Sequence, residues 1–142
     1  MRVKQLSIFL ENKVGRLKEV TNVLSEAGIN IRALTLSDTS DFGILRLIVD
    51  KSDQAEEALR AQGFTLSTTN VVAVEVNDQP GGLNGILEIL QNGGVNVEYV
   101  YGFVYKGITA VNIFRFDNTD EAIKTLTNNG ITVIEGSKLY EL

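Results

Sequence analysis

The sequence has no cysteine, histidine or tryptophan among its 142 residues, and only one proline and one methionine. Without cysteine the chain can form no disulfide and offers no thiolate nucleophile, and without histidine it has no imidazole base. The nitrogen and sulfur ligands that hold zinc and iron in proteins are missing for the same reason. These absences exclude many enzyme classes, and we expect neither a metal nor another cofactor.

Basic residues are also fewer than acidic ones, 13 against 18, which gives a formal net charge of −5. Nucleic acids and anionic membranes favour basic surfaces, so we expect neither as a partner. The N-terminal segment MRVKQLSIFLENK is too short and too interrupted for a signal peptide or a membrane span. With 44% hydrophobic residues the composition is typical of a folded protein, which we expect in the cytoplasm.

An internal repeat is the most informative feature of the chain. ENKVGRLKEVTNVLSEAGINIRAL (11–34) aligns without a gap on NDQPGGLNGILEILQNGGVNVEYV (77–100), an offset of 66 residues. The identical pairs are Gly15 and Gly81, Leu17 and Leu83, Leu24 and Leu90, Gly28 and Gly94, and Asn30 and Asn96. With one further residue of shift, 55–66 matches 122–133. We therefore predict two domains, 1–70 and 71–142, joined without a flexible linker.

Hydrophobic spacing predicts the same order of elements in both halves. The first half shows strand-like alternation at 6–10 and then a helical stripe that ends before Gly28. Strands at 29–36, 43–50 and 64–68 and a helix at 53–62 complete it; the second half has strands at 71–76, 95–104, 108–116 and 131–135 and helices at 82–92 and 120–128. This order predicts an α+β fold of two tandem ferredoxin-like βαββαβ sandwiches, each with an antiparallel sheet and both helices on one face.

Strand 95–104 carries apolar side chains on both of its predicted faces. Alternation places Val95, Val97, Tyr99, Tyr101 and Phe103 on one face and Val100 and Val104 on the other. Both faces need burial, and part of this surface is available to a second chain. The sequence therefore predicts a homodimer or a larger symmetric assembly.

The turns from first strand to first helix, LENKVGRL (10–17) and VNDQPGGL (76–83), are the candidate binding sites. Helix-start N–H groups and glycine backbone can receive a carboxylate. The side-chain oxygens of Asn12 and Asp78 can accept hydrogen bonds from an ammonium group. The residues alone leave a second interpretation open, in which these two side chains only cap the helices and the glycines only form turns.

The repeated pattern of a strand, [N/D]-x-x-G-x-L, a helix and x-G-[I/V]-N-[I/V] resembles the ACT domain, and it covers both halves. That family consists of ferredoxin-like ligand-binding modules of allosteric enzymes in amino-acid metabolism. An amino acid binds there at the strand–helix loop, usually at an interface between two modules. The resemblance implies ligand-binding roles for Asn12, Lys13, Val14, Gly15, Arg16, Leu17 and Asn30, and for Asp78, Gln79, Pro80, Gly81, Gly82, Leu83 and Asn96. Serine-sensing members have a histidine where this chain has Leu10 and Val76, which argues against serine as the ligand.

Three functions remain open at this stage. The resemblance implies a non-enzymatic, stand-alone tandem ACT protein that binds a free amino acid and regulates a partner, with a metabolic enzyme as candidate. The alternative is a regulatory subunit of a branched-chain amino-acid biosynthetic enzyme, because the first half is similar to the regulatory subunit of acetolactate synthase. A small enzyme on the same scaffold would need a carboxylate with a strongly perturbed pKa in a closed pocket, and nothing in the spacing indicates one.

Overall fold

A computed structural model describes residues 1–38, 41–105 and 109–141 of the chain. The elements in order are β1 (Val3–Glu11), α1 (Arg16–Glu26), β2 (Ile31–Asp38), β3 (Phe42–Val49), α2 (Ser52–Ala61), β4 (Thr65–Asn77), α3 (Gly82–Asn92), β5 (Val97–Tyr105), β6 (Thr109–Phe116), α4 (Thr119–Asn128), β7 (Val133–Ile134) and α5 (Gly136–Glu141). Both halves follow the β-α-β-β-α-β order. The predicted pair of ferredoxin-like sandwiches with antiparallel sheets is confirmed.

The chain divides into two compact units. The N-terminal unit contains Lys4–Thr69 and the C-terminal end of the chain, and the C-terminal unit contains Met1–Val3 and Asn70–Leu139. Strand β4 runs through the division as one strand of 13 residues, where we predicted two separate strands. Its sequence TLSTTNVVAVEVN is rich in β-branched residues and has no glycine or proline, so nothing in it interrupts the extended backbone.

In the N-terminal unit the strand order is β2-β3-β1-β4. Strand β3 pairs antiparallel with both β1 and β2, with Leu47 opposite Leu6 on one side and opposite Leu34 on the other. Alternation turns Leu6, Ile8 and Leu10 of β1 toward the helices. They pack there with Val20 and Leu24 of α1, Ala55 and Leu59 of α2, and Leu45, Leu47 and Val49 of β3.

In the C-terminal unit β4 pairs with β6 and β7, and β5 pairs with β6, all antiparallel. The buried cluster beneath α3 and α4 contains Val72, Val74 and Val76 of β4, Ile86 and Leu90 of α3, Ala122 and Leu126 of α4, and Phe114 and Phe116 of β6. The rings of Phe114 and Phe116 are stacked with centroids 5.3 Å apart.

The predicted alternation of β5 is interrupted. Its register against β6 shifts between Val97 and Tyr99, as a β-bulge does. Val97 and Val100 lie opposite Phe116 and Phe114, so they share the helix-covered face, and the prediction that Val97 and Tyr99 share a face is wrong. The predicted positions of Phe103 and Val104 fall on side chains outside the described part of the structure.

The C-terminal end of the chain also differs from the prediction. Strand β7 has only two residues instead of the predicted five, because the chain turns into α5 at Gly136. Helix α5 was not predicted, since its six residues carry a single fully buried side chain, Leu139, and no repeating apolar pattern. Among the described helices none is long and apolar enough to cross a membrane.

Candidate functional site

The first candidate loop connects the end of β1 to the start of α1. The backbone N–H of Asn12 donates to the carbonyl of Asp41 at 3.0 Å, which fixes the loop beside the start of β3. Gly15 precedes the helix with a φ of +91°, a left-handed conformation that glycine adopts without strain. The N–H groups of Leu17 and Lys18 in the first turn of α1 have no acceptor among the described residues.

The second candidate loop, between β4 and α3, repeats this geometry. Gly81 precedes α3 with a φ of +89°, and the N–H of Gly82 donates to the carbonyl of Gln79 at 3.0 Å. A Cβ atom on Gly82 would lie 2.1 Å from the carbonyl oxygen of Asn77, so the helix begins directly on the end of the strand. The N–H groups of Leu83 and Asn84 are left without an acceptor in the described part of the chain.

The helix-capping interpretation of Asn12 and Asp78 is wrong. The residues that precede α1 and α3 are Gly15 and Gly81, and neither helix receives a side-chain cap. Asn12 and Asp78 stand three residues earlier and are exposed. Neither side chain makes a hydrogen bond or an ion pair within the described residues, so their oxygens are available to a ligand.

A groove with a volume of about 520 Å³ lies beside the second loop in the C-terminal unit. Its lining contains four of the predicted residues, Gln79, Pro80, Gly81 and Gly82. Asp78, Leu83 and Asn96 are outside it. The rest of the lining was not predicted from the sequence, and it consists of Glu75, Asn77, Gly85, Ile86, Ile89, Gly130, Ile131 and Thr132. We call this cavity the C-terminal groove.

A smaller cavity of about 70 Å³ lies at the first loop, in the N-terminal unit. It brings together the predicted residues Asn12, Lys13, Arg16 and Leu17. It also takes in four residues that the prediction did not include, Leu10, Glu11, Leu36 and Gly43. Val14 and Gly15 do not line it, and the side chain of Val14 is fully exposed.

Arg16 also contacts residues that do not line this cavity. Its guanidinium carbon lies 5.1 Å from the centroid of the Phe64 ring, and the group forms an ion pair with Glu19 one turn along the helix. The Nε atom of Arg16 is buried without a hydrogen-bond partner in the described residues. The side chain of Arg16 is only 24% exposed.

The structure does not bring Asn30 to the loop of Asn12. The backbone N–H of Asn30 donates to the Asp50 carboxylate at 3.0 Å, and the N–H of Asp50 donates back to the Asn30 carbonyl at 3.2 Å. Asn12 is tied to Asp41 at the other end of β3. The nine residue steps from Asp41 to Asp50 span the eight residues of β3. At roughly 3.3 Å per step they separate the two ends by up to ~30 Å.

Asn96 occupies the matching position in the C-terminal unit. Its N–H donates to Asp117 at 3.1 Å, and the N–H of Asp117 donates to the Asn96 carbonyl at 3.2 Å. The reason for the separation is the same in both units: helices α1 and α3 carry the chain back to the far end of the sheet. Asn30 lines a different cavity, of about 380 Å³, at the C-terminal end of α1.

A cluster of ionisable groups surrounds Lys4 in the N-terminal unit. The ammonium group of Lys4 lies 2.5 Å from Asp53 and 3.4 Å from Glu56, at the start of α2. The hydrogen bond to Asp53 raises the pKa of Lys4 above its ordinary value. Within the described residues no group of three or more acidic side chains could hold a metal ion.

Comparison with known proteins places this geometry in a family. A family model described as an ACT domain pair matches residues 1–142. The chain is similar to the crystal structure of protein BT0572 from Bacteroides thetaiotaomicron, with 42% sequence identity, a TM-score of 0.96, and coverage of 100% of this chain and 98% of that chain. A search of curated proteins finds no significant match.

The fold is also similar to that of the regulatory subunit of aspartate kinase. The ligand-free subunit from Thermus thermophilus has a TM-score of 0.64 at 16% identity, covering 88% of this chain and 90% of that chain. The subunit from Thermus flavus has a TM-score of 0.63 at 15% identity with the same coverage. The family model and the similarity to BT0572 both extend over the whole length of the chain. The chain therefore belongs to the ACT domain family, as a pair of ACT domains.

Proposed function

We propose that this ACT domain pair is a non-enzymatic regulatory protein that binds a free amino acid at its strand–helix loops and passes the signal to a metabolic enzyme. One observation supports the proposal most strongly. In both units, the helix-start N–H groups have no acceptor among the described residues. Three residues before the glycine that precedes each helix stands an exposed side chain, Asn12 or Asp78, whose oxygen receives no hydrogen bond from the described residues. A zwitterion presents the two complementary groups.

The chemistry of each loop suits the two ends of an amino acid. The positive end of the α3 dipole and the N–H groups of Leu83 and Asn84 attract the carboxylate. The Asp78 carboxylate accepts from the ammonium group, and a hydrogen bond between two charged groups is stronger than a neutral one. Asn12 offers a neutral amide oxygen in the same place, so we expect the second loop to bind more tightly than the first.

A second copy of the chain completes the proposal. Within one unit, up to ~30 Å of strand separates Asn12 from Asn30, so a small ligand that contacts the first loop needs any Asn30-type contact from outside this unit. Strand β2 lies at the edge of the N-terminal sheet, where Leu34 and Leu36 are 49% and 47% exposed. An unpaired edge with exposed leucines favours association, and we propose a homodimer through this edge.

The alternative, a regulatory subunit of a branched-chain amino-acid biosynthetic enzyme, rests on the first half of the chain. The family model describes an ACT pair over both halves, which gives the stand-alone regulator the broader support. Stable co-purification with a large catalytic subunit would favour the alternative. The absence of cysteine from the sequence is compatible with the cytoplasmic location that we include in the proposal.

A thermal-shift screen of the twenty amino acids tests the proposal. A ligand that binds only the folded state at 100 times its Kd stabilises it by about 2.7 kcal/mol. For a chain of this size we expect an increase in Tm of roughly 5–10 °C with the correct amino acid. If none of the twenty raises the Tm at millimolar concentration, the proposal is wrong.

A further inference from the structure

We infer that the two ACT domains are not equivalent and that the C-terminal groove holds the side chain of the effector, which is uncharged and aliphatic. This inference rests on the proposed function, because it specifies which unit takes the amino acid and which class of side chain it carries. It starts from three positions that the internal repeat places in register, 16 with 82, 19 with 85, and 64 with 131.

In the N-terminal unit these three positions carry Arg16, Glu19 and Phe64. The Arg16 side chain crosses from the start of α1 to the segment before β4, where its guanidinium group lies over the Phe64 ring. Glu19 holds the same group from the helix side. The N-terminal unit therefore packs one of its own long side chains between α1 and the segment that leads into β4.

In the C-terminal unit the same positions carry Gly82, Gly85 and Ile131, and all three line the C-terminal groove. Gly82 cannot carry a side chain, since its Cβ would meet the carbonyl oxygen of Asn77. A Cβ on Gly85 would have no atom within 4 Å. The groove is thus open because the chain supplies no side chain where the first unit supplies Arg16.

The lining of the C-terminal groove indicates the class of side chain. Ile86, Ile89 and Ile131 provide its apolar surface. The described lining contains no lysine or arginine, so an acidic side chain would find no cation there to pair with.

Glu75 is the single ionisable residue in that lining. Val74 and Val76, its neighbours in β4, belong to the buried cluster under the helices. Strand alternation therefore directs the Glu75 side chain to the opposite face of the sheet. The carboxylate therefore points away from the apolar surface that the three isoleucines form, and we expect that surface to hold an uncharged aliphatic side chain.

Isothermal titration of the full chain tests the inference, with valine, leucine, isoleucine, aspartate and lysine as probes. We expect an aliphatic amino acid to bind with about one site per chain. Gly85→Leu should fill the groove and weaken binding by about 10- to 100-fold, the range for steric changes in an apolar pocket. The affinity of Gly85→Ala should lie between those of the wild type and Gly85→Leu. Because the Cβ of residue 85 meets nothing, Gly85→Ala should not have a lower Tm than the wild type. The affinity of Gly85→Leu is measured at a temperature below its own Tm.

Glu88→Leu is the matched control, since it adds a leucine to an exposed position of α3 outside the groove. It should leave the affinity unchanged. The inference is overturned if Gly85→Leu binds like the wild type, if aspartate or lysine binds more tightly than the aliphatic probes, or if the chain has two equal sites. In each of those cases an amino acid still binds and the proposed function stands. If none of the twenty amino acids binds the wild type, the proposed function itself fails.

Discussion

Two glycines of helix α3, one turn apart, should respond in opposite directions to the same substitution. At Gly82 the added Cβ would lie 2.1 Å from the carbonyl oxygen of Asn77 and 3.3 Å from Cγ1 of Val76. At Gly85 it would have no atom within 4 Å. Neither glycine has a positive φ, so the difference between them is one of space and not of backbone conformation.

The expected free energies follow from these distances. Gly82→Ala forces the start of α3 away from a backbone atom that cannot rotate aside, and overpacking of this kind destabilises by about 1–3 kcal/mol. Gly85→Ala replaces glycine in a helix interior and stabilises by about 0.5–1 kcal/mol. The two variants should therefore differ by roughly 1.5–4 kcal/mol, which corresponds to a difference in Tm of roughly 5–15 °C for a chain of this size.

Urea unfolding followed by circular dichroism measures both variants against the wild type. With unchanged m-values, the midpoint should fall for Gly82→Ala and rise for Gly85→Ala. Equal stability of Gly82→Ala and the wild type would refute the reasoning, because the start of α3 would then not lie on the end of β4. The shape of the second loop and of the C-terminal groove depends on that contact.

Three further predictions concern stability and assembly. Asn118 caps α4, so Asn118→Ala should lower the free energy of unfolding in urea by about 0.5–2 kcal/mol. Asp78→Ala should change it by no more than about 0.5 kcal/mol. If both variants lose the same stability, the caps are not where the structure places them. Asp53 raises the pKa of Lys4 above its ordinary value of 10.5. Their ion pair contributes at most about 1 kcal/mol to the stability of the folded state. This contribution is complete below pH 10.5 and is lost as the pH rises through the raised pKa. Lys4→Gln should not show this loss of stability at alkaline pH. If its unfolding curve at alkaline pH is identical to that of the wild type, the ion pair does not contribute to stability. In light scattering, Leu34→Asp should convert a dimer into a 15.5 kDa monomer, and a wild type that is already monomeric would disprove the dimer.

The internal repeat allowed the fold to be predicted from the sequence. Alternation and helical spacing occur in the same order twice, and each half reinforces the interpretation of the other. The errors fall where local patterns carry little information. Strand β4 was divided at the repeat boundary although its residues continue as an extended run, and the bulge in β5 needs pairing with β6 to be seen.

The candidate site was predictable only in part. The loops follow from the glycines and the strand–helix order, and Gly15 and Gly81 have the conformation that such turns require. The placement of Asn30 away from Asn12 could have been foreseen, because an 11-residue helix of about 1.5 Å per residue separates them. The C-terminal groove could not, since it joins the second loop to 130–132, segments that are distant in the sequence.

The central claim, that an amino acid binds at the strand–helix loops, is tested most directly by isothermal titration of the wild type and Asp78→Ala with the amino acid that gives the largest thermal shift. Loss of a hydrogen bond between charged groups, worth about 1.5–3 kcal/mol, should raise the Kd by about 10- to 150-fold. Asn12→Ala, which changes the loop of the other unit, should leave this Kd unchanged. If the wild type, Asn12→Ala and Asp78→Ala share one Kd, the ligand does not contact these loops and the account is contradicted.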